Sequence, residues 1–395
     1  MSVSEFWRGL VLMRARWWVV VGLMGVVGGL GASVAQASVV SPTPASSWQT
    51  DGRVRALAVV GDKVFLGGDF THVRPPGAAG GGVVRDHLAA LSLTTGKVLP
   101  WNPGADGSVL ALRVSPDGKT VYIGGSFTTV GGAARANVAA VSTKHVVVRK
   151  WHAHTKGRVD ALVVTSTEVF MGGAFSKVDG RARASLAAVG VGALAPLRAW
   201  APRANAEVRA LVLSPSGGRV FAGGDFTSIN GHTTNATHLA ALAVTTGAPT
   251  RFAAHPPWTV TTLRTSATRL YAGGSGNGGH VNSYDSRTGS RRWSALTDGA
   301  VEAMALRQGV LYVGGRFANY CKGALGGGTP FTCTTPILRV HLLALSTSGA
   351  LVRWTPGANS TKGVSAMSAT SGGLQVGGDF TKIGGITQQG FARFK

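Results

Sequence analysis

The chain has 395 residues, with 39 Lys and Arg against 16 Asp and Glu, a formal net charge of +23 and two cysteines. Two thiols with no arranged His partner exclude a metal-thiolate centre. Basic residues spread evenly along the chain exclude a dedicated sequence-specific nucleic-acid site, while the charge itself predicts attraction to polyanions.

Residues 1–37 read as a signal peptide cleaved after Ala37. Arg8, Arg14 and Arg16 supply positive charge, residues 17–31 are apolar, and Ala35-Gln36-Ala37 is a small-x-small cleavage site. The apolar stretch is short and broken by glycines, which argues against a membrane anchor and predicts no span in the mature chain. Arg14-Ala-Arg16 is not a twin-arginine pair, and no cysteine follows the cleavage site, so ordinary export without lipidation is expected. Losing Glu5 and the three arginines leaves +21. Residues 38–47 form a short tether rich in Pro, Ser and Thr.

From residue 48 to residue 395 one pattern recurs. A Val-x-Ala-Leu-like run is followed about twelve residues later by a double glycine. The doublets are Gly67-Gly68, Gly124-Gly125, Gly172-Gly173, Gly223-Gly224, Gly273-Gly274, Gly314-Gly315 and Gly377-Gly378. A period near 50 residues with four short apolar runs per unit predicts blades of four antiparallel strands. In the fourth unit the runs are 208–213, 219–223, 238–244 and a last one ending at Phe252. Between the first two, Ser-Pro-Ser-Gly-Gly sets a turn.

The fourth run ends in an aromatic at Trp101, Trp151, Trp200, Phe252, Trp293 and Trp354. The last unit stops at Phe391-Ala-Arg-Phe394, its third strand, and the missing aromatic precedes the first unit as Trp48. The expected fold is therefore all-β: a seven-bladed β-propeller of four-stranded antiparallel blades, its ring closed by the N-terminal strand at Trp48. Closure removes the exposed sheet edges. A monomer is expected.

The set Gly-Gly-Asp-Phe-Thr…Leu-Ala-Ala-Leu…Gly…Trp-x-Pro resembles the delta-sixty-type repeat propellers of secreted bacterial proteins. Tyr284-Asp-Ser-Arg-Thr-Gly…Trp293 is similar to a kelch blade, and Ser115-Pro-Asp-Gly-Lys-Thr-Val-Tyr122 to the first hairpin of WD-type blades. The first resemblance implies a fold without an activity; kelch and WD likeness implies a binding platform more often than an enzyme.

No Gly-x-Ser-x-Gly, His-Glu-x-x-His or phosphate loop occurs, so no catalytic residue, metal or cofactor is assigned. Asp69, Asp225 and Asp379 recur after the double glycine and read as loop hydrogen-bond acceptors. Phe70, Phe127, Phe175, Phe226, Phe317 and Phe380 read as packing between blades. Arg85, Arg135, Arg183 and Arg339 read as partners of the loop carboxylates, and His152-Ala-His154 as half a metal site without a third ligand. Cys321 and Cys333 lie in one loop of the sixth unit and are expected to form a disulfide in an exported chain.

Structural positions repeat and functional ones diverge. The x of Val-x-Ala-Leu is the divergent position: Arg55, Leu110, Asp160, Arg209, Thr261, Glu302 and Ser365. These residues begin the strands expected to line the central channel, so the channel mouth is the candidate ligand site. Arg55 and Arg209 would serve as anion donors there, and Asp160 and Glu302 as acceptors. The function expected is a non-catalytic exported scaffold binding an anionic cell-wall polymer, a polysaccharide or a protein. A polysaccharide-acting lyase or hydrolase at the mouth and a structural envelope component are the alternatives.

Overall fold

The computed structural model describes residues 39–78, 80–145, 150–322 and 332–395. The chain divides into two units, Met1–Gln36 and Ala37–Lys395; the expected signal peptide lies outside the described residues.

Every regular element among the described residues is a strand. One three-stranded antiparallel ladder recurs along the chain. Unit 1 has Val54–Val60, Lys63–Gly68 and Leu88–Ser92; unit 2 has Ser108–Val114, Thr120–Ser126 and Val138–Ser142. Unit 3 has Thr155–Val164, Glu168–Val178 and Leu186–Gly190; unit 4 has Val208–Leu213, Arg219–Gly224 and Leu239–Ala243. Unit 5 has Thr259–Thr265, Arg269–Gly276 and Gly278–Asp285; unit 6 has Val301–Arg307, Val310–Gly315 and Leu342–Ser346. Unit 7 has Val364–Thr370, Gly373–Gly378 and Phe391–Phe394.

A full fourth strand occurs in unit 5, at Arg291–Thr297, and a two-residue one in unit 6, at Leu351–Val352. Units 1, 3 and 4 have single bridges instead, Leu91↔Val98, Val189↔Leu197 and Leu242↔Pro249. The reason is compositional. Pro100, Pro196 and Pro249 remove ladder donors from these outer segments, whereas residues 291–297 contain no proline.

The N-terminal segment runs beside the last strand. Ala45 bridges Arg393, and the Ser41 N–H donates to the Lys395 carbonyl at 2.8 Å. The pairing thus falls at Ala45, three residues before the expected Trp48. That offset matches Val98 to Trp101 and Leu197 to Trp200. Trp48 is half-buried against the cluster of Val54, Leu57 and Phe391, and its N–H donates to the Gly96 carbonyl at 2.8 Å.

Packing between units rests on the double glycine. A Cβ on Gly172 would lie 2.7 Å from Val208 of the next unit, and one on Gly124 would lie 2.8 Å from Val159. Gly377 of unit 7 meets Val54 of unit 1 at 2.6 Å in the same way. The apolar clusters are likewise shared by neighbours. Phe65 and Val121 join units 1 and 2, Phe170 and Val220 join units 3 and 4, and Phe391 and Leu66 join units 7 and 1. Each fully buried Phe contributes about 1.5–3 kcal/mol.

The outer aromatics add a directional tie. Trp101, Trp151, Trp200 and Trp293 stand against an aromatic of their own second strand. Their indole N–H groups reach backbone carbonyls of the following unit at Ser142, Gly190, Ala243 and Thr347, at 2.8–2.9 Å. Cys321 and Cys333 form a disulfide. Residues 323–331 within that loop lie outside the described residues.

The second glycine can be tested against a control. A methyl on Gly224 would meet the Glu207 carbonyl, a backbone atom that cannot swing aside. Gly224→Ala should cost about 3 kcal/mol in urea unfolding. Gly218→Ala, with only Ser216 Oγ at 3.9 Å, should stay within about 0.5 kcal/mol. Equal losses at both positions would refute this account of the doublet.

Candidate functional site

Each of the seven first strands breaks register at the divergent position. Val54 pairs with Gly68 and Ala56 with Gly67, leaving Arg55 as the extra residue of a β-bulge. The same break falls at Leu110, Asp160, Arg209, Thr261, Glu302 and Ser365. A bulge bends the strand and re-aims the side chain it carries. The second glycine permits it, since a Cβ there would strike the carbonyl two residues before the bulge; for Gly378 that is the Gly363 carbonyl at 2.6 Å.

The bulges converge. One cavity is lined by Arg55, Leu110, Asp160, Arg209, Thr261 and Ser365, with Ala303 from unit 6. At its outer end Glu302 joins them, together with Arg53, Glu207 and Arg316. All four predicted site residues therefore sit at one mouth.

They do not stand there as free donors and acceptors. Arg55 Nε donates to Asp69 Oδ2 at 2.5 Å, and Arg209 to Asp225 Oδ2 at 2.7 Å. Asp160 accepts from Arg158 Nε at 2.9 Å, and Arg158 also reaches Glu207 at 2.6 Å. Glu302 is held between Arg53 at 2.9 Å and Arg316 at 2.7 Å. The mouth is thus two ion-pair clusters and one further pair: Asp160 belongs with Arg158, Glu207, Arg209 and Asp225, Glu302 with Arg53 and Arg316, and Arg55 with Asp69.

Burial sets the electrostatics. Burial pushes the Asp160 carboxyl up to about 6, against the pull of Arg158, and Glu207 adds to the rise. Burial likewise raises Glu302 against its two arginines. The hydrogen bond to Glu207 holds the Arg158 pKa up, and the bond to Asp225 does so for Arg209. For Asp69, burial is outweighed by hydrogen bonds from Ser108 and Arg55, and the carboxyl stays below its usual range.

Two readings of the sequence are corrected here. Among the described residues, Asp69 and Asp225 are partners of the mouth arginines, not acceptors for the loop; Asp69 also takes the hydroxyl of Ser108, on the first strand of unit 2, at 2.6 Å. Arg85, Arg183 and Arg339 donate to backbone carbonyls of Val84, Leu99, Ala182, Arg198 and Leu338, and Arg135 donates to that of Ala134. The bulge explains the exchange, because it brings the strand arginine, not the loop arginine, to the post-glycine carboxylate. Asp379 keeps a loop role, accepting the Ser360 hydroxyl and the Lys362 N–H.

The sequence reading missed Arg53, Arg158, Glu207 and Arg316. The first three directly precede the repeated Val and lie two residues from the bulge, on the same side of a strand. It also missed a clamp of Asp and Asn side chains. Asp51, Asp106, Asn205, Asp298 and Asn359 each accept two consecutive backbone N–H groups of the loop after Gly-Gly, as at Thr128 and Thr129, both 2.8 Å from Asp106. Their spacing of three before Val, at 51, 106, 205 and 298, was readable. Among the described residues no group of three metal-ligating side chains occurs, and His152 and His154 stand 6.4 Å apart.

No protein-family model and no curated protein matches this chain. The structure is similar to the crystal structure of the WD40 β-propeller domain of Doa1, with TM-score 0.57 and 14% identity over 89% of this chain and 97% of that one. The fold is that of a β-propeller. At this identity the likeness extends to the fold alone, and the mouth residues must be read from their own chemistry.

Asp160 gives a pH test. Its unfolded value lies near 3.8 and its folded value near 6, so between them the folded chain binds more protons. The contribution of this group to stability therefore falls as pH rises from about 4 to 6. Asp160→Asn cannot ionise. Its stability relative to the unmodified chain should improve by about 2–3 kcal/mol from pH 4 to pH 7, measured by denaturant unfolding. A difference that does not change with pH would remove the assignment.

Proposed function

We propose that the protein is an exported, non-catalytic binding scaffold: a seven-bladed propeller, closed by its N-terminal segment, that holds a partner at the channel mouth. The blade count is supported by seven like ladders and by the Gly377–Val54 contact joining the last unit to the first. The Ala45–Arg393 bridge supports closure. Export is supported by the leader pattern and by the Cys321–Cys333 bridge, since disulfides persist in oxidising compartments.

One observation carries the binding reading. Every acidic group at the mouth is engaged by arginine, while Arg316, Arg158 and Arg209 remain 55%, 42% and 38% exposed. Such a rim offers fixed, pre-oriented guanidinium groups whose backing carboxylates limit their movement. A partner presenting carboxylates or phosphates in register gains charge-assisted bonds at low ordering cost. The partner class favoured is an acidic surface on a protein or an anionic wall polymer.

Asp160 favours a second reading, because a carboxyl near 6 suits proton transfer close to neutral pH. A polysaccharide lyase or hydrolase would need a second group beside it. The groups that act on Asp160 are Arg158, Glu207 and Arg209, and those that act on Glu302 are Arg53, Arg316 and Arg55. The two carboxylates thus do not form a pair, which weighs for binding. An envelope component would be released from cells by moderate salt, without saturable mouth binding.

The test is capture by the immobilised mature chain from fractionated cell-wall and secreted material, at low and high salt. Arg158→Glu with Arg316→Glu should weaken capture by tenfold or more, about 1.4 kcal/mol, with the fold intact. Unchanged affinity in the folded double variant would end the mouth reading.

A further inference from the structure

Below the mouth, three residues beyond each bulge, the first strands carry Ala58, Arg113, Val163, Val212, Arg264, Ala305 and Ser368. Two arginines thus stand in a ring that is otherwise small or apolar. Both line the cavity that also holds Arg55, Asp160 and Arg209, and both line the separate space on the far side, so they lie between the two. Arg264, on unit 5, reaches past unit 6 to donate to the Met367 carbonyl of unit 7 at 3.1 Å, and donates to its own Leu263 carbonyl at 2.7 Å. Arg113 donates to the Leu112 carbonyl at 2.8 Å.

Among the described residues no carboxylate pairs with either guanidinium. The mouth differs in this respect, because each of its arginines has an acid. A guanidinium carries five N–H donors. The hydrogen bonds described use one from Arg113 and two from Arg264, which leaves donors from both toward the lumen. Burial draws Arg264 down to about 10, with Arg113 adding a like-charge push, and burial lowers Arg113 as well. Both remain cationic at neutral pH. Two half-buried like charges that act on each other within one cavity are unfavourable without a counter-ion.

We propose that Arg113 and Arg264 form an anion site inside the channel, which takes a small oxyanion bridged between the two guanidinium groups. The space on the mouth side is about 150 Å³. It leaves room for phosphate, sulfate or a single carboxylate group. Arg is suited to this task because its planar fork grips two oxygens of one anion. The site lies deeper in the cavity that also holds Arg55, Asp160 and Arg209, three residues further along each first strand, and it does not require a partner at the rim.

The mature chain should be titrated with inorganic phosphate, sulfate and acetate at constant ionic strength balanced with chloride, following thermal melting and binding heat. The balance matters because so basic a chain attracts every anion weakly. A saturable rise in melting temperature is expected with one or more of the three, and the ranking identifies tetrahedral against planar oxyanions. Arg113→Gln and Arg264→Gln should each weaken binding by at least tenfold, while Arg181→Gln, on the exposed strand Arg181–Ala182 away from the cavity, should leave it unchanged. If a Gln variant fails to fold, Arg113→Lys and Arg264→Lys keep the charge and lose the fork, and should bind severalfold more weakly. Selenate diffused into crystals should place its anomalous peak between the two guanidinium groups. The proposal is overturned by no saturable effect in the unmodified chain, by unchanged affinity in the folded variants, or by selenate found only elsewhere.

Discussion

The close approach of a valine on one first strand to a glycine on the preceding unit is the contact on which the rest of the structure depends. Any Cβ at Gly67, Gly124, Gly172, Gly223, Gly273, Gly314 or Gly377 would overlap the Val that follows it in space. Sheets brought this near share one apolar layer, so no unit buries its faces alone. The second glycine of each pair does different work. It leaves room for the carbonyl displaced by the bulge, as at Gly224 beneath Glu207. The doublet therefore joins neighbouring units and also tilts the residue that faces the mouth.

The 16 acidic residues are few, and their placement explains the rest of the charge. Asp51, Asp106 and Asp298 are consumed in clamping loops, Asp62 and Asp285 in turns, and Asp69, Asp160, Glu207, Asp225 and Glu302 at the mouth. Few acids remain to balance the outer basic residues. The chain is consequently strongly cationic at long range yet close to neutral at the one place where its first strands converge. Arg113 and Arg264 break that balance again, deeper in.

Much of this architecture could be read from the sequence, because repetition multiplies weak signals. The Gly-Gly period, the Phe after it and the downstream tryptophans located strands, core and the N-terminal segment to within three residues. The outer strands were harder: proline at 100, 196 and 249 reduces them to single bridges, a local effect that the period hides. The site was half legible. Divergence at the bulge position pointed to Arg55, Asp160, Arg209 and Glu302. Their partners were not, because pairing depends on where a bulge turns a side chain. Arg55 meets Asp69 fourteen residues away, while Arg53 meets Glu302 on another unit. Sequence spacing carries no record of the second kind of contact.

Placing the divergent residues on bulges has a mechanical consequence. A bulged residue is the extra one of its strand, so its side chain can vary without disturbing the ladder on either side. Val54 and Ala56 keep their partners whatever stands at 55. The neighbouring Val cannot vary so freely, because it fills the space left by the preceding unit's glycine. Invariant packing and variable chemistry thus alternate residue by residue along one strand. Seven such strands converge on one opening, where each bulged residue can change without breaking its own ladder although Asp160 and Arg209 are coupled through one ion-pair cluster. The charge pattern now found there, two ion-pair clusters and the Arg55–Asp69 pair above two arginines without acids, is one setting of those positions. Long-range attraction from the basic surface would bring an acidic partner near, and its screening by salt is steep beyond about 10 Å. On the proposed binding reading, discrimination would come from the guanidinium groups at the rim, whose orientation is set by the carboxylates behind them.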